Sequence, residues 1–288
     1  MDRGDAVVAD IENSAFSESL HNSLNRPSEA RVYDYYLGGA CNFAADREFG
    51  QAQIARYPDM PLIARENRSF LQRAVRHLVS VGVRQFLDIG SGLPTAGNVH
   101  QVAEAAAPGE TRVVYVDHDP IAHSHSQLLL RKEGDPARHA ALWADLLDTA
   151  ELWQQVLDTG LIDPGEPVGL LLVAMLHFVP DDRDPIRAVR WLQERLVRGS
   201  FLVLSHATGE ALPEQARQAA ERVRADYEEQ ATNPGVFRSR AQVAALFGDW
   251  PLIDPGLVWT PQWPDVSAPN YEGELARAFI LAGVARKL

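Results

Sequence analysis

The sequence predicts an α/β chain: a doubly wound, mostly parallel sheet of seven strands behind an N-terminal helical extension. Three observations carry this. The first is Arg84-Gln85-Phe86-Leu87-Asp88-Ile89-Gly90-Ser91-Gly92-Leu93-Pro94-Thr95, an apolar run that ends around an acid and turns through two glycines. A strand, a glycine turn and a following helix make a binding crevice at the carboxyl edge of a parallel sheet. The second is Thr111 to Asp117, a β-branched strand that also ends on an acid. The third is the alternation of short apolar runs with amphipathic stretches, the pattern of a sheet covered by helices on both faces.

In chain order, residues 1–26 are polar and weakly periodic, which predicts a disordered tail. Residues 27–82 form the helical extension. Pro27-Ser28-Glu29-Ala30 starts a helix that runs through Leu37 and stops at Gly38-Gly39. Ala44 to Arg56 predicts a second helix, broken by Pro58 and Pro61. Leu62 to Val81 predicts a third, with Phe70, Leu71, Val75, Leu78 and Val79 on its apolar face. The main domain, 83–288, begins with a strand at Val83. Helices follow over Asn98–Ala107 and Ile121–Lys132, a strand over Ala140–Trp143 and a helix over Ala150–Leu157. Val168 to Met175 is apolar throughout, as in a strand buried on both faces. A helix from Asp184 or Pro185 to Val197 and a strand over Phe201–Ser205 continue the alternation. An insert of about 211–240 interrupts it with a charged helix, Pro213 to Glu229, ended by Asn233-Pro234-Gly235. Ser239 caps a short helix over Ala241–Phe247, and Ile253–Trp259 and Ala276–Val284 read as the last strands.

Composition narrows the function. A chain of 288 residues, 46% of them apolar, can bury a full core. No apolar run reaches the roughly 18 residues that span a bilayer. A basic start followed by an apolar stretch is missing, and the single Cys41 cannot form an internal disulfide, so a reducing cytoplasm is expected. The net charge of −12 argues against a nucleic-acid substrate. Arg65, Arg68, Arg73, Arg76 and Arg84 lie close in sequence, and their simplest reading is a solvated helix face. His123 and His125 sit two apart, on different faces of a helix, and no zinc spacing, P-loop or nucleophile elbow is seen; no metal is expected.

The acids at the strand ends point to the ligand. Asp117 stands where a doubly wound fold puts the carboxylate that takes a ribose diol. Two hydroxyls meeting two carboxylate oxygens make a charge-assisted bidentate pair. A dinucleotide fingerprint needs a third glycine, and here Leu93-Pro94-Thr95 replaces it. Asp88 faces the same crevice and suits a cation better than a phosphate. S-adenosylmethionine fits, with its ribose, adenine, ammonium and sulfonium and no phosphate.

Further blocks give a specific resemblance. Arg31-Val32-Tyr33-Asp34-Tyr35-Tyr36-Leu37-Gly38-Gly39 and Asn42-Phe43-Ala44-Ala45-Asp46 resemble the N-terminal signature of an actinomycete S-adenosylmethionine-dependent methyltransferase-like family. Asp88 to Thr95 with Asn98-Val99-His100, Val114 to Pro120, and Met175-Leu176-His177-Phe178-Val179-Pro180-Asp181 match it as well. The resemblance spans roughly 27–286. It implies the class I, Rossmann-like methyltransferase fold and S-adenosylmethionine as cofactor, with no assigned acceptor. Ala40-Cys41 stands where the family usually has a polar or charged pair, and Gln101 where Glu is usual.

The site expectations follow. Gly90, Ser91 and Gly92 approach the methionine moiety and ribose through the backbone, unless they form only an ordinary strand–helix turn. Asp88 orients the loop or meets the ammonium through water. Asp117 holds the ribose diol. His118 packs on the adenine or is a solvated loop histidine. Asp145 binds the adenine amino group or caps a helix. Ala174 and Met175 end the fourth strand beside the methyl group. His177 is a candidate general base, or else lines the pocket. Tyr33, Tyr36, Gly38, Gly39 and Asn42 form a candidate lid over cofactor and substrate, the alternative being an aromatic face packed on the sheet. The function expected is methylation of a small or medium-sized organic acceptor at oxygen or nitrogen. A regulator that binds the cofactor without turnover and a nicotinamide-dependent oxidoreductase are the rivals.

Overall fold

The computed structural model describes residues 16–17, 20, 23–24, 26–94, 97–267 and 274–288; most of the tail expected over 1–26, and Thr95, lie outside them. Three helices build the extension from Glu29 onward: α1 (Glu29–Tyr36), α2 (Ala44–Arg56) and α3 (Met60–Ser80). α1 ends as its glycines require. Gly38 is left-handed (φ 77°), and the Gly38 and Gly39 amides donate to the carbonyls of Tyr35 and Asp34, a Schellman closure. α3 starts two residues earlier than expected because Pro61 sits in its first turn, where a missing N–H costs nothing.

The sheet then builds through β1 (Gln85–Ile89), α4 (Val99–Ala106), β2 (Arg112–Asp117), α5 (Pro120–Glu133) and β3 (His139–Trp143). It continues through α6 (Thr149–Asp158), β4 (Val168–Val173), α7 (Pro185–Arg195) and β5 (Phe201–Ala207). After α8 (Glu214–Gln230) and α9 (Arg240–Ala245) come β6 (Val258–Trp259) and β7 (Ile280–Arg286). The strand order is β3-β2-β1-β4-β5-β7-β6, with β7 antiparallel to both β5 and β6 and the other pairs parallel. The chain reverses direction across the sheet between β1 and β4, which opens a crevice at their carboxyl ends.

Alternation along the strands divides the core. Leu87, Val114, Val116, Leu170 and Leu172 face one layer of helices, with Leu152, Val189 and Val243 among their neighbours. Phe86, Val113, Tyr115, Leu171 and Val203 face the other, against Phe70, Ala74 and Leu78 of α3. A third apolar cluster joins the extension to the insert: Val32, Tyr36, Phe49 and Tyr57 pack with Ala220, Val223 and Tyr227 of α8. Phe49 and Tyr227 meet edge to face, their centroids 4.9 Å apart. α1 and α8 thereby roof the crevice.

Two expected strands differ. Ile253–Trp259 shrinks to Val258–Trp259, because Asp254-Pro255-Gly256 turns the chain just after an isolated bridge of Leu252 to Ala285, closed by the Ile253 amide on the Val284 carbonyl and the Arg286 amide on the Pro251 carbonyl. The last strand begins at Ile280, since Leu275–Arg277 is a 3-10 turn and Phe279 is left-handed (φ 64°). The arginines of α3 are also not one solvated face. Arg73 donates to the carbonyls of Trp263 (2.7 Å) and Thr260 (2.8 Å), and Arg68 turns towards the crevice. Among the described residues no helix is long and apolar enough to cross a membrane.

Candidate active site

A cavity of about 240 Å³ lies over the carboxyl ends of the strands. Its floor starts at the glycine turn. The Gly90 and Ser91 amides both donate to the Val116 carbonyl, at 2.8 and 3.2 Å, which folds the turn against β2. Gly90 is left-handed (φ 70°), and a Cβ there would stand 2.6 Å from Cβ of Met175. Only glycine allows both the backbone angle and this approach.

Asp117 holds the turn from the other side. Its Oδ2 accepts from the Gly92 amide at 2.7 Å and its Oδ1 from the Asp119 amide at 2.9 Å. Burial pushes its carboxyl above the ordinary range, against the opposing pull of His118 and these two donors. Asp88 is also buried, and desolvation raises it to about 7, with the positive charge of Arg68 working the other way. His118 stands 3.8 Å from Asp117. Its ring is half exposed; what desolvation it suffers would lower its pKa, but the carboxylates of Asp117, Glu29, Asp145 and Asp119 outweigh that and raise it. Asp145 accepts from the Leu147 amide at 2.9 Å.

At the end of β4, Ala174 is left-handed (φ 56°), a costly geometry for a residue with a Cβ. Its amide donates to Ser205 Oγ (2.9 Å), and that hydroxyl donates to Asn67 Oδ1 (2.6 Å). Asn67 Nδ2 donates to the Tyr33 hydroxyl (2.9 Å), which donates to the Ala64 carbonyl (2.9 Å). This chain ties the strand end to α3 and α1. His177 follows on a 3-10 turn, and its Nδ1 accepts from the Ala207 amide at 3.3 Å. Burial, then His206 and Arg238, hold its pKa well below the usual value. The ring is therefore neutral, with its proton on Nε2.

Asp88, Gly90, Ser91, Gly92, Asp117, His118, Asp145, Ala174, Met175, His177, Tyr33 and Tyr36 all line the cavity. Gly38, Gly39 and Asn42 do not. Asn42 Nδ2 donates to Asp34 Oδ2 (2.8 Å) and to the Gly39 carbonyl (2.9 Å), so the segment fastens onto the end of α1. These three members of the candidate lid are thus set back from the cavity, which Tyr33 and Tyr36 line. Sequence reading missed Glu29, Asn67, Arg68, Tyr227 and Asn233, which also line the cavity. For the four on helices the contribution depends on which face turns inward, and no local motif marks it; Asn233 lies in the break that follows the insert helix.

Over residues 17–288 the chain matches a family described as S-adenosyl methyltransferase. It belongs to that family. A crystal structure of a DUF574 family protein from Streptomyces avermitilis MA-4680 shares 37% identity and a TM-score of 0.84, covering 91% of this chain and 98% of that one. A candidate methyltransferase from Thermobifida fusca YX shares 33% identity and a TM-score of 0.83, covering 93% of this chain and 97% of that one. No curated protein matches the chain.

The methyl donor of this methyltransferase is S-adenosylmethionine, and the cavity suits it chemically. Buried polar atoms in proteins are nearly always paired. Glu29 Oε1, Arg68 Nε, Ser91 Oγ and the Tyr36 hydroxyl are buried without a partner, and all four residues line this one cavity. The carboxyl groups of Asp88, Asp117, Asp119 and Asp145 line the floor and that of Glu29 the roof, an acceptor set matched to a ligand with an ammonium and a sulfonium rather than to a diphosphate.

Proposed function

We propose that this methyltransferase alkylates a small or medium-sized organic acceptor at oxygen or nitrogen. The observation that carries the reading is the cavity's mixed lining. Carboxyl groups and the glycine turn share the lining with the rings of Phe178, Tyr227, Phe237 and Phe279, and His177 packs against Phe178 at 4.5 Å. In this reading the turn of Gly90, Ser91 and Gly92 lies against the methionine and ribose. Asp117 accepts from the ribose diol with the lone pairs left after its two backbone bonds. Asp145 takes the adenine amino group, His118 covers the ring, and Asp88 with Arg68 faces the amino-acid end. The cofactor supplies an electrophilic methyl group. The chain's part is alignment, since methyl transfer needs acceptor, carbon and sulfur in line. His177, its other nitrogen engaged by the Ala207 amide, donates from Nε2 to orient the acceptor, whose free lone pair bonds to carbon as the carbon–sulfur bond breaks and whose proton passes to solvent.

DNA and RNA are not acceptors in this reading, given the net charge of −12 and the acidic floor. The test is incubation with methyl-labelled S-adenosylmethionine and a metabolite extract. Label recovered in a small molecule supports the proposal. Tight cofactor binding with no transfer, or label in macromolecules alone, overturns it.

A further inference from the structure

The acceptor end of the cavity has a chemistry of its own. Phe178 and Tyr227 have centroids 5.5 Å apart, Phe237 and Phe279 5.2 Å, and His177 lies 4.5 Å from Phe178. All of these residues line the cavity. Offset and edge-to-face arrangements of this kind leave slots suited to another flat ring. The titratable groups there are neutral at physiological pH. Burial raises the Tyr36 and Tyr227 hydroxyls and lowers His177. Of the nearby cations, Arg224 is held by Glu221 (3.0 Å) and Glu228 (2.9 Å), Arg238, whose charge reaches His177, is held by Asp181 (2.6 Å), and Arg183 is exposed. A charged acceptor would lose its water among these rings, and the one carboxyl whose field reaches Tyr227, that of Glu29, is itself pushed by burial towards its neutral form. The polar atoms among the rings are the buried Tyr36 and Tyr227 hydroxyls, which face one another.

We propose that the acceptor is an uncharged aromatic molecule bearing a hydrogen-bonding substituent, its ring among Phe178, Tyr227, Phe237 and Phe279 and its substituent against Tyr36. This rests on the methyltransferase reading of the same cavity and narrows its substrate class.

The test is equilibrium binding to the full chain saturated with S-adenosylhomocysteine. The probes are 2-naphthol, naphthalene, 2-naphthoate and 2-naphthylmethylammonium, which share one ring system. 2-Naphthol binds best, and the two charged probes bind at least about 10-fold more weakly. Tyr36→Phe reduces the preference for 2-naphthol over naphthalene by about 5-fold or more. Val236→Trp, which fills the chamber from the insert, removes 2-naphthol binding while S-adenosylhomocysteine still binds. Equal or tighter binding of a charged probe overturns the acceptor class, as does failure of every ring to bind. Failure of S-adenosylhomocysteine itself to bind strikes instead at the cofactor reading, so the two failures are distinguishable.

Discussion

The Arg31 guanidinium meets the Asp46 carboxylate at 2.7 Å, with both side chains shut off from solvent. Arg31 also donates to Ser23 Oγ (2.8 Å) and to the carbonyls of Ser23 and Arg26 (both 2.7 Å). Asp46 accepts from the amides of Ser28 (3.1 Å) and Phe43 (2.8 Å). Ser28 Oγ in turn donates to Asp119 (2.7 Å), two residues beyond Asp117. The roof of the cavity and the acid at the end of β2 are therefore joined by one buried network.

Arg31→Ala should destabilise the protein by about 3–5 kcal/mol, because it leaves the Asp46 charge buried and unpaired. Urea unfolding measures this. A loss under about 1 kcal/mol would mean that water replaces the guanidinium and that the network does not hold the roof.

Asp117→Ala should weaken S-adenosylhomocysteine binding by about 1.5–3 kcal/mol, the size of lost hydrogen bonds to a charged group. The Gly92 amide loses its acceptor as well, so the turn loosens. Calorimetric titration of a variant with unchanged circular dichroism is the check. Wild-type affinity would remove Asp117 from the ligand.

The glycine turn and its two acids were legible because they are local. Asp88, Gly90, Gly92 and Asp117 sit at the ends of strands whose apolar pattern spans only a few residues, and α2 was bounded by its own sequence. The roof was not legible in the same way. Arg31 and Asp46 are 15 positions apart, and neither type signals burial. Glu29 reads as an ordinary acid in a first helical turn, yet the fold aims it into the cavity. Ile253–Trp259 has the composition of a strand, but most of it finds no partner to pair with. Strand propensity reports fit to a pleated surface, and the surface must exist.

Asp88→Asn should flatten the pH dependence of stability. The unfolded carboxyl ionises near 3.8 and the folded one only near 7. The folded state keeps the proton through that window, so the wild-type protein loses stability as pH rises from about 4 to about 7. The amide has no charge to bury and should gain about 2–4 kcal/mol above pH 7 relative to its difference at pH 4. It should also bind the cationic cofactor more weakly than wild type. Parallel unfolding curves at pH 5 and pH 8 would rule out the buried, protonated state.

His177→Gln should keep the rate of methyl transfer within about 10-fold, whereas His177→Leu should lower it by about 10–100-fold, since only the first retains a donor. The wild-type rate should show no inflection near pH 6.5 from this residue, because burial, His206 and Arg238 keep its ring neutral. Rates with an acceptor found by labelled transfer decide it. An inflection near 6.5 that vanishes in His177→Gln would restore His177 as the proton acceptor.

The segment 31–43 should behave as a fixed wall. A lid needs a hinge and a loose face, and each candidate feature is already engaged. Gly38 and Gly39 close α1 through the Tyr35 and Asp34 carbonyls. A Cβ on Gly39 would stand 2.0 Å from Asp34 Oδ1, so this glycine permits a close approach rather than a swing. Asp34 then takes the Cys41 amide (2.9 Å) and the Asn42 side chain (2.8 Å). Tyr33 is bound to α3 through Ala64 and Asn67, and Tyr36 is packed against the insert. Opening the segment would break these bonds and expose the Arg31–Asp46 pair together, a cost far above that of an ordinary loop motion. Amide hydrogen exchange with and without S-adenosylhomocysteine reads this directly. Residues 31–43 should exchange slowly and equally in both states. Fast exchange in the free protein that slows on binding would show that the network forms only when the ligand is held, and that the wall is a lid after all.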